Sequence, residues 1–159
     1  MSPIYTIGYG NRNINNFTNF LSGYGITILI DVRSRPYSRY NPNYNKETLK
    51  LILKSIDIDY LHMGDTLGGK PKDQRFYTNG KLNYHTMNSD QSYRFSIAAL
   101  MEKGEMETIC LMCAELNPNT CHRKNLISET LIRNHVIVKH IDQNGLLFQH
   151  PEFPLLEMF

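Results

Sequence analysis

Two short blocks carry most of the side chains in this chain that can do chemistry. Cys113, Ala114 and Glu115 form the first, Cys121, His122 and Arg123 form the second, and Pro118 lies in the loop between them. A thiol, an imidazole and a guanidinium near an amide-rich turn suit nucleophilic catalysis or anion binding. Glu115 adds a carboxylate able to act as acid or base. Cys113 reads as the end of a buried strand. Cys121 reads as the first turn of the next helix, with Asn119 or Thr120 as N-cap. There, free amides and the helix dipole favour a thiolate, so Cys121 is the cysteine whose position favours activation. Plainer readings stand beside these. Cys110, and Cys113 as well, fit small core residues. Cys121 and His122 fit a partly buried helix start, and Cys113 with Cys121 also fits a redox pair. A metal site built on Cys113, Cys121 and His122 lacks a further ligand and matches no usual zinc spacing, so no metal or cofactor is expected. The distance from either cysteine to Arg123 fits no phosphatase-type loop.

A second constellation follows Asp31. Arg33, Arg35 and Arg39 are interleaved with Tyr37, Tyr40 and Tyr44. Guanidinium groups can hold phosphates while the rings stack on bases; a solvated polar loop is the alternative. Asp31 can act as a base, bind a sugar hydroxyl, or simply pair with Arg33 or Arg123. Gly68, Gly69 and Lys70 lack the frame of a Walker loop and are read as loop flexibility. His62, His85 and His135 receive no role, and His140 lies in the last strand, within reach of the same edge.

The elements that must position these residues alternate. Short apolar runs at 4–7, 26–32, 60–63, 108–113 and 136–141 read as strands. Helical spacing marks 14–21, 49–56, 95–104 and 120–133 as helices. Such alternation predicts an α/β fold, a three-layer Rossmann-like domain with a mostly parallel sheet of about five strands. Residues 64–85 read as one long connection, and 143–159 as a tail packed on a core of residues 4–142. Ligands bind beyond the carboxyl ends of such strands. That edge collects Gly8-Tyr9-Gly10-Asn11, Asp31-Val32-Arg33, His62-Met63-Gly64 and Cys113-Ala114-Glu115.

With 159 residues, 41% hydrophobic and 20% charged, the chain is sized for one domain with a real core. A net charge of +2 is too small to signal nucleic-acid binding by itself. Three cysteines without a signal peptide predict a reducing, cytoplasmic setting. No apolar run approaches the ~20 residues that cross a bilayer.

Three blocks in order resemble the domain of unknown function 488 family. These are Tyr5-Thr6-Ile7-Gly8, then Asp31-Val32-Arg33 with Pro36, Ser38 and Arg39, then Cys113-Ala114-Glu115 with Pro118, Cys121, His122 and Arg123. Leu67-Gly68-Gly69 is similar to the family's middle element, and Val138-Lys139-His140-Ile141 to its last strand. The resemblance implies a compact α/β domain and a site, but no reaction. Many relatives resemble Gly-His-Ser where this chain has Gly8-Tyr9-Gly10, so no histidine role carries over there. The expectation is an enzyme that hydrolyses, or transfers a group from, a nucleotide, a nucleic-acid component or another phosphorylated small molecule. Cys113 or Cys121, with Glu115, His122 and Asp31, would do the chemistry. Gly8, Tyr9, Asn11, Arg33, Arg35, Arg39, Gly68, Gly69 and Arg123 would form the ligand site. A nucleotide- or nucleic-acid-binding module without turnover is the alternative.

Overall fold

The computed structural model describes residues 2–118 and 121–151. Five parallel strands and one antiparallel edge strand make the sheet. The strands are β1 (Ile4–Gly8), β2 (Ile28–Asp31), β3 (Asp59–His62), β6 (Ile109–Cys113), β7 (Val138–Ile141) and β8 (Leu147–Gln149). Their order is β3-β2-β6-β1-β7-β8, with β8 antiparallel to β7. The α/β, mostly parallel architecture expected from the alternating pattern is present, with six strands rather than five. The extra strand falls within residues 143–159, read in sequence as a tail, and residues 152–159 lie outside the described residues.

Every residue of β2 and β6 is buried. Such strands need apolar side chains on both faces, which explains their continuous hydrophobic runs. Side chains alternate between two layers. Ile28, Ile30, Ile109, Leu111 and Cys113 face a cluster with α5 (Gln91–Met106) and α6 (Glu129–Arg133). Leu29, Cys110 and Met112 face the opposite cluster with α1 (Ile14–Gly23) and α2 (Lys46–Lys54). The period-2 alternation of a strand thus separates Cys110 from Cys113.

Three expectations change. Residues 64–85 are not one connection: they contain α3 (Gly64–Leu67), the hairpin β4 (Tyr77–Thr78) with β5 (Lys81–Leu82), and the start of α4 (Tyr84–Ser89). The hairpin strands are too short to show a period. The third long helix starts earlier, where Asp90 caps it by accepting from Tyr93 N; Phe95, expected on its buried face, is 67% exposed. The last helix begins as a π-helix over Arg123–Ser128 before α6. The N-caps Asn119 and Thr120 fall outside the described residues.

Loops converge at the carboxyl edge through close backbone approaches. Tyr9 N donates to Cys113 O at 3.0 Å and Gly10 N to Ala114 O at 2.9 Å. A Cβ on Gly64 would overlap the carbonyl of Arg33, whereas one on Gly23 would meet no atom within 4 Å. Gly64→Ala should therefore cost about 1–3 kcal/mol or more, while Gly23→Ala, at the end of α1, should gain up to about 1 kcal/mol. Chemical denaturation of the two variants checks the contrast; equal stabilities would contradict the close approach at Gly64.

Candidate functional site

Cys113 ends β6, and its Sγ lies 3.1 Å from Arg123 Nε and 2.7 Å from Cys121 Sγ. Arg123 reaches it from the π-helix, a wide turn of a kind that often marks functional sites. Ser128 Oγ donates to Arg123 O at 2.5 Å, tying the two ends of that turn. The Arg123 side chain is fully buried. Its Nη1 donates to Thr6 Oγ1 at 2.7 Å, and its Nη2 to the carbonyls of Glu115 and Leu116 at 3.1 Å each. A buried guanidinium needs acceptors, and a sulfur anion is the one that faces Nε.

That geometry separates the two cysteines. Burial pushes the Cys113 thiol up, but the hydrogen bond from Cys121 and the charge of Arg123 outweigh it and bring it down to about 7. The bond to Cys113, reinforced by burial, holds Cys121 well above the thiol range. The lowered thiol is therefore Cys113, whereas the sequence position favoured the helix-start Cys121. The lowering contacts are the hydrogen bond from Cys121, eight residues away in sequence, and then Arg123, ten residues away, and tertiary packing sets both. Cys110, on the opposite face, is raised by burial and is an inert core thiol.

His122 sits beside the pair. Its Nε2 is 3.1 Å from Val32 O and its Nδ1 is 3.7 Å from Cys121 Sγ. The carbonyl can only accept, so a neutral ring carries its proton on Nε2 and turns the Nδ1 lone pair towards Cys121.

Asp31 and Arg33 anchor the neighbouring loop. Arg33 Nε and Nη2 contact the two Asp31 carboxylate oxygens at 2.9 and 2.8 Å, and Nη2 also donates to Tyr44 O at 2.7 Å. Tyr60 donates to Asp31 Oδ2 at 2.5 Å. Asp31 is fully buried and Arg33 is 6% exposed. Of the pairings weighed from sequence, the fold forms Asp31–Arg33. Tyr44, grouped in sequence with the exposed tyrosines, is instead core: it stacks on Tyr9 at 4.3 Å and donates to Arg12 O. Arg12, unremarked in sequence, is buried and bridges Gly8 O to Asp142 O.

A cavity of about 430 Å³ opens over these groups. Cys113, Cys121 and His122 line it together with Tyr9, Arg33 and Glu115. Arg35, Tyr37, Lys70 and Tyr84 also line it and are exposed, so they form its rim. Gly69 lines it as well and packs against the His122 ring. Asp31, Arg123, Gly8 and Gly68 stand behind the lining, while Asn11 and Arg39 do not border the cavity; Arg39 lies over Tyr40. Lys70, Tyr84, Ser34 and Leu82 were not anticipated from sequence, because the hairpin that brings Leu82 and Tyr84 to the rim is too short to read. Among the described residues, no three His, Cys, Asp or Glu side chains gather into a set able to hold a metal ion. Among them, too, no helix is long and apolar enough to cross a membrane.

A family model described as domain of unknown function DUF488 matches residues 13–130 of the chain. No curated protein and no solved structure matches it.

The buried histidines give a pH signature. Burial holds His122 below its ordinary value, and burial with the charge of Arg123 takes His140 down to about 3. Both rings stay neutral in the folded chain where the unfolded chain binds protons. Stability should be complete above about pH 6.5 and fall as pH drops below it, by up to about 1.4 kcal/mol per pH unit for each ring. Urea midpoints at about pH 7.5 and about pH 5.5 test this; the acid midpoint should be lower, and equal midpoints would contradict it.

Proposed function

The chain belongs to the DUF488 family, and since that description names no reaction, we propose from the site itself that the protein is a cysteine-dependent enzyme acting on a nucleotide or similar phosphorylated small molecule. One observation carries the proposal: Cys113 Sγ, held by Arg123 Nε at 3.1 Å, lines a cavity with a cationic, aromatic rim. A thiolate is the reactive form of cysteine, and a guanidinium donating to the sulfur stabilises it.

Arg35 and Lys70 supply the exposed charge for an anion, because Arg33 and Arg123 direct their donors into the fold. Tyr37 and Tyr84, 59% and 37% exposed, offer rings for stacking on a base. In the reaction, Cys113 Sγ bonds to the electrophilic atom of the substrate as the leaving group departs with the bonding pair. Water, or another acceptor in a transfer, then displaces Sγ and restores the thiolate. Glu115 and His122 line the same cavity and take up the proton that water releases. A thiolate is maintained in a reducing compartment, and we place the protein in the cytoplasm on that ground.

Iodoacetamide labelling, mapped by mass spectrometry, tests the reading. Cys113 should label with a midpoint near pH 7, about one unit or more below an ordinary thiol, and Cys110 should not label. A nucleotide or inorganic phosphate should protect Cys113 in the wild type but not in the Arg35→Ala, Lys70→Ala double variant. An ordinary thiol profile at Cys113 would remove the enzyme reading. Protection retained in that case would leave a binding module without turnover.

The 2.7 Å approach of Cys113 and Cys121 also favours a second reading, a reversible redox pair. Peroxide would take two electrons from the two thiols, form the S–S bond and leave as two molecules of water. Mild peroxide treatment should then remove two hydrogens from the peptide pair 113/121 and abolish labelling of Cys113. Unchanged masses after treatment would exclude the pair.

A further inference from the structure

A line of hydrogen bonds runs from the guanidinium that holds the Cys113 sulfur to Glu129, the first residue of α6. Arg123 Nη1 meets Thr6 Oγ1 at 2.7 Å, and Thr6 Oγ1 meets His140 Nδ1 at 2.5 Å. His140 Nε2 meets His150 Nδ1 at 2.9 Å, and His150 Nε2 meets Glu129 Oε1 at 2.9 Å. Thr6 and His140 are fully buried, and His150 is 1% exposed. Glu129 alone reaches solvent, with its side chain 34% exposed. The proposed reaction needs none of these four residues, yet together they end on Arg123.

With His150 neutral, the two ends fix every proton between them. Arginine only donates, so Thr6 Oγ1 accepts from Arg123. A carboxylate only accepts, so His150 carries a proton on Nε2 and, when neutral, accepts at Nδ1. His140 must then donate from Nε2 and accept at Nδ1, which receives the Thr6 hydroxyl proton. All the bonds point one way, and such chains polarise and strengthen each other. We infer that Thr6, His140, His150 and Glu129 are positioning residues for Cys113, acting by holding Arg123 Nη1 so that Nε stays on the sulfur. This rests on the reading of Cys113 as the reacting thiolate.

The charges facing the line are Arg123, with Arg12 near it, and Lys124 on the His140 side, and Glu129 at its outer end. Charge alone and the hydrogen-bond chain predict opposite results when Glu129 is removed. Loss of a nearby anion would make a thiolate at Cys113 easier to form. Loss of the terminal acceptor frees the proton order, weakens the grip of Thr6 on Arg123, and makes the thiolate harder to form.

The test is the pH profile of Cys113 labelling in the full chain, with melting temperature measured alongside. Glu129→Leu should move the midpoint up, and Thr6→Val, at the inner end, should move it further, by about one pH unit, or roughly a fivefold slower rate at about pH 7. Glu129→Gln keeps an acceptor and should restore most of the wild-type profile. A lower melting temperature with an unmoved midpoint in Glu129→Leu would overturn the inference and leave the line a structural brace. A downward shift in Glu129→Leu would overturn it in favour of plain electrostatics. If Thr6→Val fails to fold, Glu129→Leu decides. An ordinary thiol profile in the wild type would fail the thiolate reading, and this inference with it; a depressed wild-type profile untouched by either variant fails this inference alone.

Discussion

A guanidinium with no access to water must find acceptors for all its donors, and the carboxyl edge of this protein is arranged around that demand. Arg123 takes a hydroxyl from β1, two carbonyls from the loop after β6, and the sulfur of Cys113. The partners come from two stretches of chain, β1 and the end of β6 with its loop, so meeting the demand locks both against the π-helix. The same contact acts on Cys113, because a sulfur facing a buried cation is stabilised as its anion.

The neighbouring loop solves a parallel problem separately. Asp31 and Arg33 are both buried and pair through two hydrogen bonds, with Tyr60 and the Tyr44 carbonyl completing the set. A buried pair of this kind contributes orientation more than net stability. It fixes the loop that carries Arg35 and Tyr37 to the rim, while Gly64 lets α3 pass against the Arg33 carbonyl. The cavity is thus bounded on one side by the Arg123 cluster and on the other by the Asp31–Arg33 cluster. The exposed charges between them remain available to an anion.

Much of this was legible in the sequence where burial leaves a pattern. The strands of residues 26–32 and 108–113 announce themselves because both faces are covered, and their carboxyl ends predicted the edge where Asp31, Arg33 and Cys113 meet. What could not be read depends on contacts distant along the chain. Thr6 looks like any strand threonine until Arg123 and His140 lie on either side of it. Cys121 held the more favourable local position, but the bond between the two thiols, with Arg123 Nε on Cys113, sets them apart. The rim residues Lys70 and Tyr84 were hidden because α3 and the β4–β5 hairpin are too short for periodicity to show. His150 lay in a segment read only as a tail, although β8 beside it pairs with β7 and brings it onto His140.

The central claim is that Arg123 makes Cys113 a thiolate near neutral pH. The most direct measurement is an NMR titration of an isotope-labelled Cys113 Cβ, in the wild type and in Arg123→Gln. The account predicts a wild-type transition below that of an ordinary thiol and a clear upward move in the variant, with the fold intact by circular dichroism. The same transition in both proteins, at the position of an ordinary thiol, would contradict it.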